Sequence, residues 1–253
     1  KPYNFPEYSP SCGEKVYQDV DEAVTRCINI ACKAQIIERM KHFVSKNAFD
    51  IVGLGDKQIE EFHSKKYITN PIDIFTLEEQ EEQQNLQLKQ QENWGEKSVN
   101  NLFDNINKRR QISLERFIYA IGIRYIGQTT ARLLAFNYLT FDNWLRAMQK
   151  IATGSEEYYA ELINIDGIGE KLVKSIKHYF AADNNLQFLD SLAAHVQIKD
   201  FVAPTLNSQI AGKRIVFTGT LQIQSRREAK AKAESLGAKT SNTITTNTDL
   251  LVA

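Results

Sequence analysis

The sequence predicts a mainly α-helical protein with a small cysteine-bearing ribbon ahead of the helices and a truncated α/β segment behind them. Three observations carry that expectation. Apolar residues recur at three-to-four spacing from Ile36 to about Leu192, the period of a helix with one buried face. All three cysteines, Cys12, Cys27 and Cys32, fall before that region, in company with Pro2, Pro6 and Pro10. After Phe201-Val202-Ala203-Pro204 and the polar Thr205 to Gln209, the pattern changes to the continuous apolar run Ile215-Val216-Phe217. The expected division is therefore 1–35, 36–203 and 204–253.

With 253 residues and 42% hydrophobic content the chain can bury a sizeable core and form more than one domain. No apolar run approaches the roughly 18 residues of a membrane span, and residues 1–7 contain no signal-peptide core. A cytoplasmic protein with no membrane partner is expected. An odd number of clustered cysteines is a poor basis for a disulfide framework and a better one for metal ligation. Lys plus Arg equals Asp plus Glu at 31 each, so any grip on an anionic polymer must be local.

Element by element, Ile36, Ile37, Met40, Phe43 and Val44 make the first apolar helical face. Helices are expected from there throughout the body, with the Gln- and Glu-rich stretch Glu78 to Glu92 either a solvated helix or a loop. The α/β segment reads as a strand through Phe217, Gly219, a helix from Arg226 to Leu236 stopped by Gly237, and a strand through Leu250-Leu251-Val252.

Within the body a short pattern occurs four times: Leu54-Gly55-Asp56-Lys57, Trp94-Gly95-Glu96-Lys97, Ile126-Gly127-Gln128-Thr129 and Ile168-Gly169-Glu170-Lys171. Four residues beyond each glycine stands an apolar residue, Ile59, Val99, Ala131 or Val173. Three further on comes another, Phe62, Leu102, Leu134 or Ile176. Each glycine thus opens an amphipathic helix. In the first and last copies Gly53 and Gly167 precede by two, giving a tight turn between short helices; the copies at Gly95 and Gly127 lack that glycine.

A helix start offers backbone N–H groups with no intrahelical acceptor and a partial positive charge. Glycine adopts angles other residues resist and removes the side chain that would hold a phosphate away, so Gly169→Val is expected both to block the amides and to strain the turn. Lys57, Lys97 and Lys171 add a charged contact, and Thr129 a hydroxyl. Such contacts read the phosphate backbone and not the bases, which suits a DNA-binding protein without net charge. An ordinary antiparallel helix pair explains any single copy as well. Asp56, Glu96 and Glu170 are explained by the dipole of a first helical turn and are assigned no chemistry. His42 and His63 are expected to pack or lie at the surface.

The order Ser9-Pro10-Ser11-Cys12-Gly13, Arg26-Cys27, Cys32-Lys33-Ala34-Gln35, then four hairpins, then Gly212-Lys213 to Gly219-Thr220, resembles the C-terminal half of bacterial NAD-dependent DNA ligases. Phe49-Asp50-Ile51-Val52-Gly53-Leu54-Gly55, Gly95-Glu96-Lys97-Ser98 and Ala120-Ile121-Gly122-Ile123-Arg124 carry the same resemblance, which covers the whole chain. It implies a four-cysteine zinc finger, a tandem helix-hairpin-helix domain and a partial BRCT domain. It also implies a monomer near the nucleoid that seals nicked double-stranded DNA in replication and repair, with NAD and magnesium used elsewhere in the intact enzyme. Ser9 stands where the family has its first zinc cysteine. Zinc on Cys12, Cys27 and Cys32 with some other fourth donor, and a metal-free module held by packing, are both open readings.

No catalytic residue is expected here. The adenylating lysine of that family sits in Lys-x-Asp-Gly, and the nearest likeness, Asn164-Ile165-Asp166-Gly167, has asparagine in its place and belongs to a hairpin. A nuclease-associated junction binder and a protein scaffold are the alternative functions.

Overall fold

A computed structural model describes residues 5–18, 23–27, 29, 31–84, 86–91, 94–165, 167–202, 208–219, 223–241, 244 and 248–252. Asp166 and Thr220 lie outside the described residues. The chain divides into two compact units, Lys1–Asp200 and Phe201–Ala253.

The first unit opens with an antiparallel hairpin of β1 (Val16–Gln18) and β2 (Thr25–Cys27), in which Val16 faces Cys27. Cys32 then stands at the N-cap of α1 (Lys33–Val44), whose apolar stripe buries Met40, Phe43 and Val44. The helical body continues with α2 (Asp56–Ser64), α3 (Pro71–Gln84), a 3-10 turn at Leu88–Gln90 and α4 (Glu96–Lys108). The Gln- and Glu-rich stretch is thus helical through α3 and then breaks. Leu77 and Leu88, both fully buried, anchor the two sides of that break.

A short strand β3 (Gln111–Ser113) interrupts the helices before α5 (Leu114–Ala120). It pairs in parallel with β4 (Gln197–Lys199), Ile112 facing Ile198. Uninterrupted helix was expected over this region. Three residues with one buried side chain leave too little pattern to separate a strand from a helix start. Between the paired strands run α6 (Gln128–Tyr138), α7 (Phe141–Ala152), α8 (Glu156–Ile163), α9 (Glu170–Phe180) and α10 (Asp183–His195). Trp144, fully buried, packs edge-on against Phe117 of α5 and Phe180 of α9 and so joins three helices at one point.

Polar contacts tie the early part of this unit to the later part. The Lys41 ammonium, 2.7 Å from Glu60 and 2.9 Å from Glu38, pins α1 to α2. Arg109 pairs with Asp50 at 2.6 Å and donates to its carbonyl. Arg110 donates to the carbonyls of Phe75 and His195. His42 contacts the Tyr119 carbonyl at 2.9 Å and packs edge-on against the Tyr119 ring, a packing role like the one expected of it.

In the second unit β5 (Arg214–Phe217) is the central strand, flanked in parallel by β6 (Lys239–Ser241) and β7 (Leu250–Val252). A parallel neighbour needs a crossover, and α11 (Arg226–Ser235) supplies the one from β5 to β6. Ser225 starts that helix with a capping box to Glu228, and Gly237, at φ 86°, ends it. Ile215, Ala233 and Ala238 form the buried core of this unit.

Leu102 is 1% exposed and lies against the first hairpin turn. Leu102→Ala should cost about 2–5 kcal/mol, the range for a buried leucine truncation. Lys97→Ala, one helical turn earlier and exposed, should stay within about 0.5 kcal/mol. Urea unfolding of the two variants checks the contrast.

Candidate nucleic-acid interface

The four repeats share one backbone geometry. The N–H groups of Leu54, Trp94, Ile126 and Ile168 donate to the carbonyls of Ile51, Gln91, Ile123 and Ile165, three residues back, at 3.0 to 3.3 Å. The following glycine is the N-cap of α2, α4, α6 or α9, and its carbonyl accepts the first helical bond, from Ile59, Val99, Ala131 or Val173, at 2.8 to 3.2 Å. These residues and Phe62, Leu102, Leu134 and Ile176 are at most 1% exposed. Gly55, Gly95, Gly127, Gly169, Lys57, Lys97, Thr129 and Lys171 are all exposed. Burial of one helix face therefore turns every first helical turn outward.

Glycine has two different jobs here. Gly53 and Gly167 adopt φ 103° and 86°, the left-handed region that side chains resist. Each abuts a helix of another copy: a Cβ at Gly53 would meet Leu102 at 3.3 Å, and one at Gly167 would meet Leu133 at 3.6 Å. The copies are thus packed in pairs, first with second and third with fourth. At the third turn the same place is held by Tyr125 at φ 66°, so that copy, which lacks the earlier glycine, makes the same bend without it.

The four N-cap glycines are unlike these. Their φ values of −79°, −106°, −82° and −114° are open to any residue, so the expected strain in Gly169→Val does not arise. A Cβ at Gly95, Gly127 or Gly169 would meet nothing within 4 Å, and one at Gly55 would meet only the end of the Gln58 side chain. Torsion and packing leave glycine unexplained at three of the four. Its remaining effect is to bare the first-turn amides, because glycine has no side chain to cap them as Thr140 does for α7 and Ser225 for α11. A groove of about 660 Å³ runs beside the first pair, lined by Gly53, Lys57, Trp94, Ser98, Asn105 and Lys108.

The ribbon brings its cysteines together. The sulfurs of Cys12, Cys27 and Cys32 all lie within 4.8 Å of one another, Cys12 and Cys27 at 3.5 Å. Zn–S bonds of about 2.3 Å in a tetrahedron set ligand sulfurs roughly 3.8 Å apart, so the three thiols fit one zinc ion. The Cys32 thiol is lowered to about 6 by a hydrogen bond with the Ser11 side chain and by the Gln35 backbone. A thiol so placed is ready to ligate as thiolate.

Comparison with known proteins fits this arrangement. The family model for the NAD-dependent DNA ligase C4 zinc finger domain matches residues 10–34, that for the helix-hairpin-helix motif residues 116–189, and that for the BRCT domain residues 208–253. DNA ligases from Wolbachia pipientis wMel, Pelobacter propionicus and Rhodospirillum rubrum are 48%, 43% and 45% identical over 98%, 100% and 99% of this chain. Its matched domains are those of the C-terminal part of NAD-dependent DNA ligases. The chain spans 37% of the length of each of these relatives. The helix-hairpin-helix match covers the third and fourth repeats of this chain. The first and second lie outside that match and share the turn bond of the other two. Among the described residues no helix is long and apolar enough to cross a membrane.

Because the N-cap glycines carry no strain, Gly95→Val and Gly169→Val should keep the parent's circular dichroism and melting temperature while weakening duplex binding about tenfold, the loss of one charge-assisted hydrogen bond. Lys97→Ala should cost less and lower the salt slope by roughly one unit. Folded valine variants that bind like the parent would make the hairpins packing elements only.

Proposed function

We propose that this chain is the DNA-gripping C-terminal portion of an enzyme that seals single-strand nicks in duplex DNA, and that it holds phosphates without reading sequence. One observation carries the reading: the same uncapped helix start behind an exposed glycine, repeated four times with its apolar face buried. Gly55, Gly95, Gly127 and Gly169 bare the amides, Lys57, Lys97 and Lys171 add charge, and Thr129 adds a hydroxyl, with Gly53 and Gly167 shaping the turns. We assign residues 1–35 to the zinc-binding ribbon, 36–203 to the hairpin domain and 204–253 to the BRCT segment.

In the whole enzyme, a lysine in a Lys-x-Asp-Gly setting takes AMP from NAD and passes it to the 5′-phosphate of the nick, where the 3′-hydroxyl displaces it with magnesium assistance. This sequence contains no Lys-x-Asp-Gly. The chain's part in the reaction is to hold the substrate, as a monomer, in the bacterial cytoplasm. Two pairs of hairpins suit a duplex whose backbone is gripped on both sides of the break.

Titration of the purified chain with nicked and intact duplexes of unrelated sequences tests the grip. Affinity should fall steeply with salt and vary little with sequence, and the nicked duplex should bind at least as well as the intact one. Absence of binding to either duplex would favour a protein scaffold. With NAD, magnesium and nicked duplex, the chain alone should give no AMP adduct by mass spectrometry and no sealed strand.

A further inference from the structure

We propose that Ser9 supplies the fourth donor of the cysteine cluster through its hydroxyl oxygen, making a three-sulfur, one-oxygen zinc site whose oxygen corner exchanges with small thiols. The inference is independent of how the hairpins meet DNA.

The backbone around Ser9 is that of a metal knuckle. Its N–H donates to the Glu14 carbonyl at 2.7 Å, its carbonyl accepts from Gly13 at 2.9 Å, and the Ser11 N–H points at its Oγ from 3.4 Å. Gly13, at φ 72°, makes the bend that returns the chain toward β1. Cys12 and Ser9 therefore present their side chains from one tight turn, while Cys27 on β2 and Cys32 at the start of α1 close from the other side.

Ser9 is also the buried polar residue among the described residues, at 6% exposure. A serine gains nothing from burial unless its hydroxyl is satisfied. Its oxygen accepts a long hydrogen bond from the Ser11 N–H and shares its turn with Cys12, one of the three converging sulfurs. A buried oxygen carried on the same turn as one of the cluster's sulfurs, with a lone pair left for a metal, is the donor we assign to the fourth corner.

The change of donor alters the chemistry. Three thiolates and a neutral hydroxyl around Zn²⁺ carry a net charge of −1, against −2 for four thiolates. Zinc holds a neutral hydroxyl less firmly than a thiolate, so the oxygen corner is the one that opens. Three protein ligands with an exchangeable fourth is also the ligand count of zinc sites that accept an outside molecule. A small thiol can lose its proton to solvent and take that corner as thiolate, displacing the serine.

The full chain loaded with Co²⁺, a spectroscopic stand-in for zinc, tests this. The parent should show thiolate-to-metal absorption about three quarters as intense as Ser9→Cys, which has four sulfurs. Adding 2-mercaptoethanol should move the parent spectrum toward that of Ser9→Cys and leave Ser9→Cys unchanged. Against a chromophoric chelator, Ser9→Cys should hold zinc roughly tenfold or more tightly than the parent, and Ser9→Ala several-fold less tightly. X-ray absorption of the zinc-loaded parent should require one oxygen and three sulfur neighbours. The proposal is overturned if Ser9→Ala matches the parent in spectrum and affinity, if the parent already shows four sulfurs, or if the parent takes up no metal while Ser9→Cys does.

Discussion

A backbone amide in the first turn of an α-helix has no carbonyl four residues back to which it can donate. In this chain that deficit is directed outward four times, and the rest of the first unit is arranged to keep it so. Ile59, Val99, Ala131 and Val173, with Phe62, Leu102, Leu134 and Ile176, bury one face of each helix and so fix the rotation of the turn before it. Moving any of these helices by one residue would rotate the glycine and its amides by about 100°, out of line with the others. The pairing of copies adds a second constraint, because Gly53 and Gly167 let the helix of a neighbouring copy come close enough to hold two amide clusters in a fixed relation.

Charge follows the same logic. A protein that holds polyanions with side chains accumulates lysine and arginine, yet here basic and acidic residues balance at 31 each. The Arg109-Arg110 pair would look like a phosphate clamp in the sequence. In the structure Arg109 is bound to Asp50, and Arg110 donates to two carbonyls from distant parts of the chain. Arg109 ties the end of α4 to the loop before the first hairpin turn, and Arg110 ties it to α3 and the end of α10. Helix amides supply donors without adding to the net charge, so the two roles do not compete.

The repeat was legible because its signal is long: a glycine, a polar pair and two apolar positions in fixed register, four times over. The helical body and the α/β segment were legible from the length of their apolar patterns, and the ribbon from its clustered cysteines. What escaped the sequence has short or nonlocal signals. The β3 and β4 strands are three residues each and meet across more than eighty residues of chain. Tyr125 takes a left-handed backbone that its side chain gives no reason to expect, and it does so where the first and fourth turns use glycine. The strain expected at Gly169 was an inference from residue type alone. A glycine is informative about torsion only once φ is known, and at −114° its meaning shifts from flexibility to vacant space.

That distinction extends to Ser9, which sequence alone marks only as a missing cysteine. A lost ligand normally relaxes the loop that carried it, because nothing else holds a short turn of few apolar residues. Here the turn bonds of Ser9, Ser11 and Gly13 persist and the serine stays buried. A ribbon with two three-residue strands has too little apolar area to keep that geometry by packing. On the proposal made above, its order comes instead from side chains converging on one metal ion, three through sulfur and one through oxygen. The same economy governs the hairpins, where a backbone shape is retained and the atom it presents decides the chemistry.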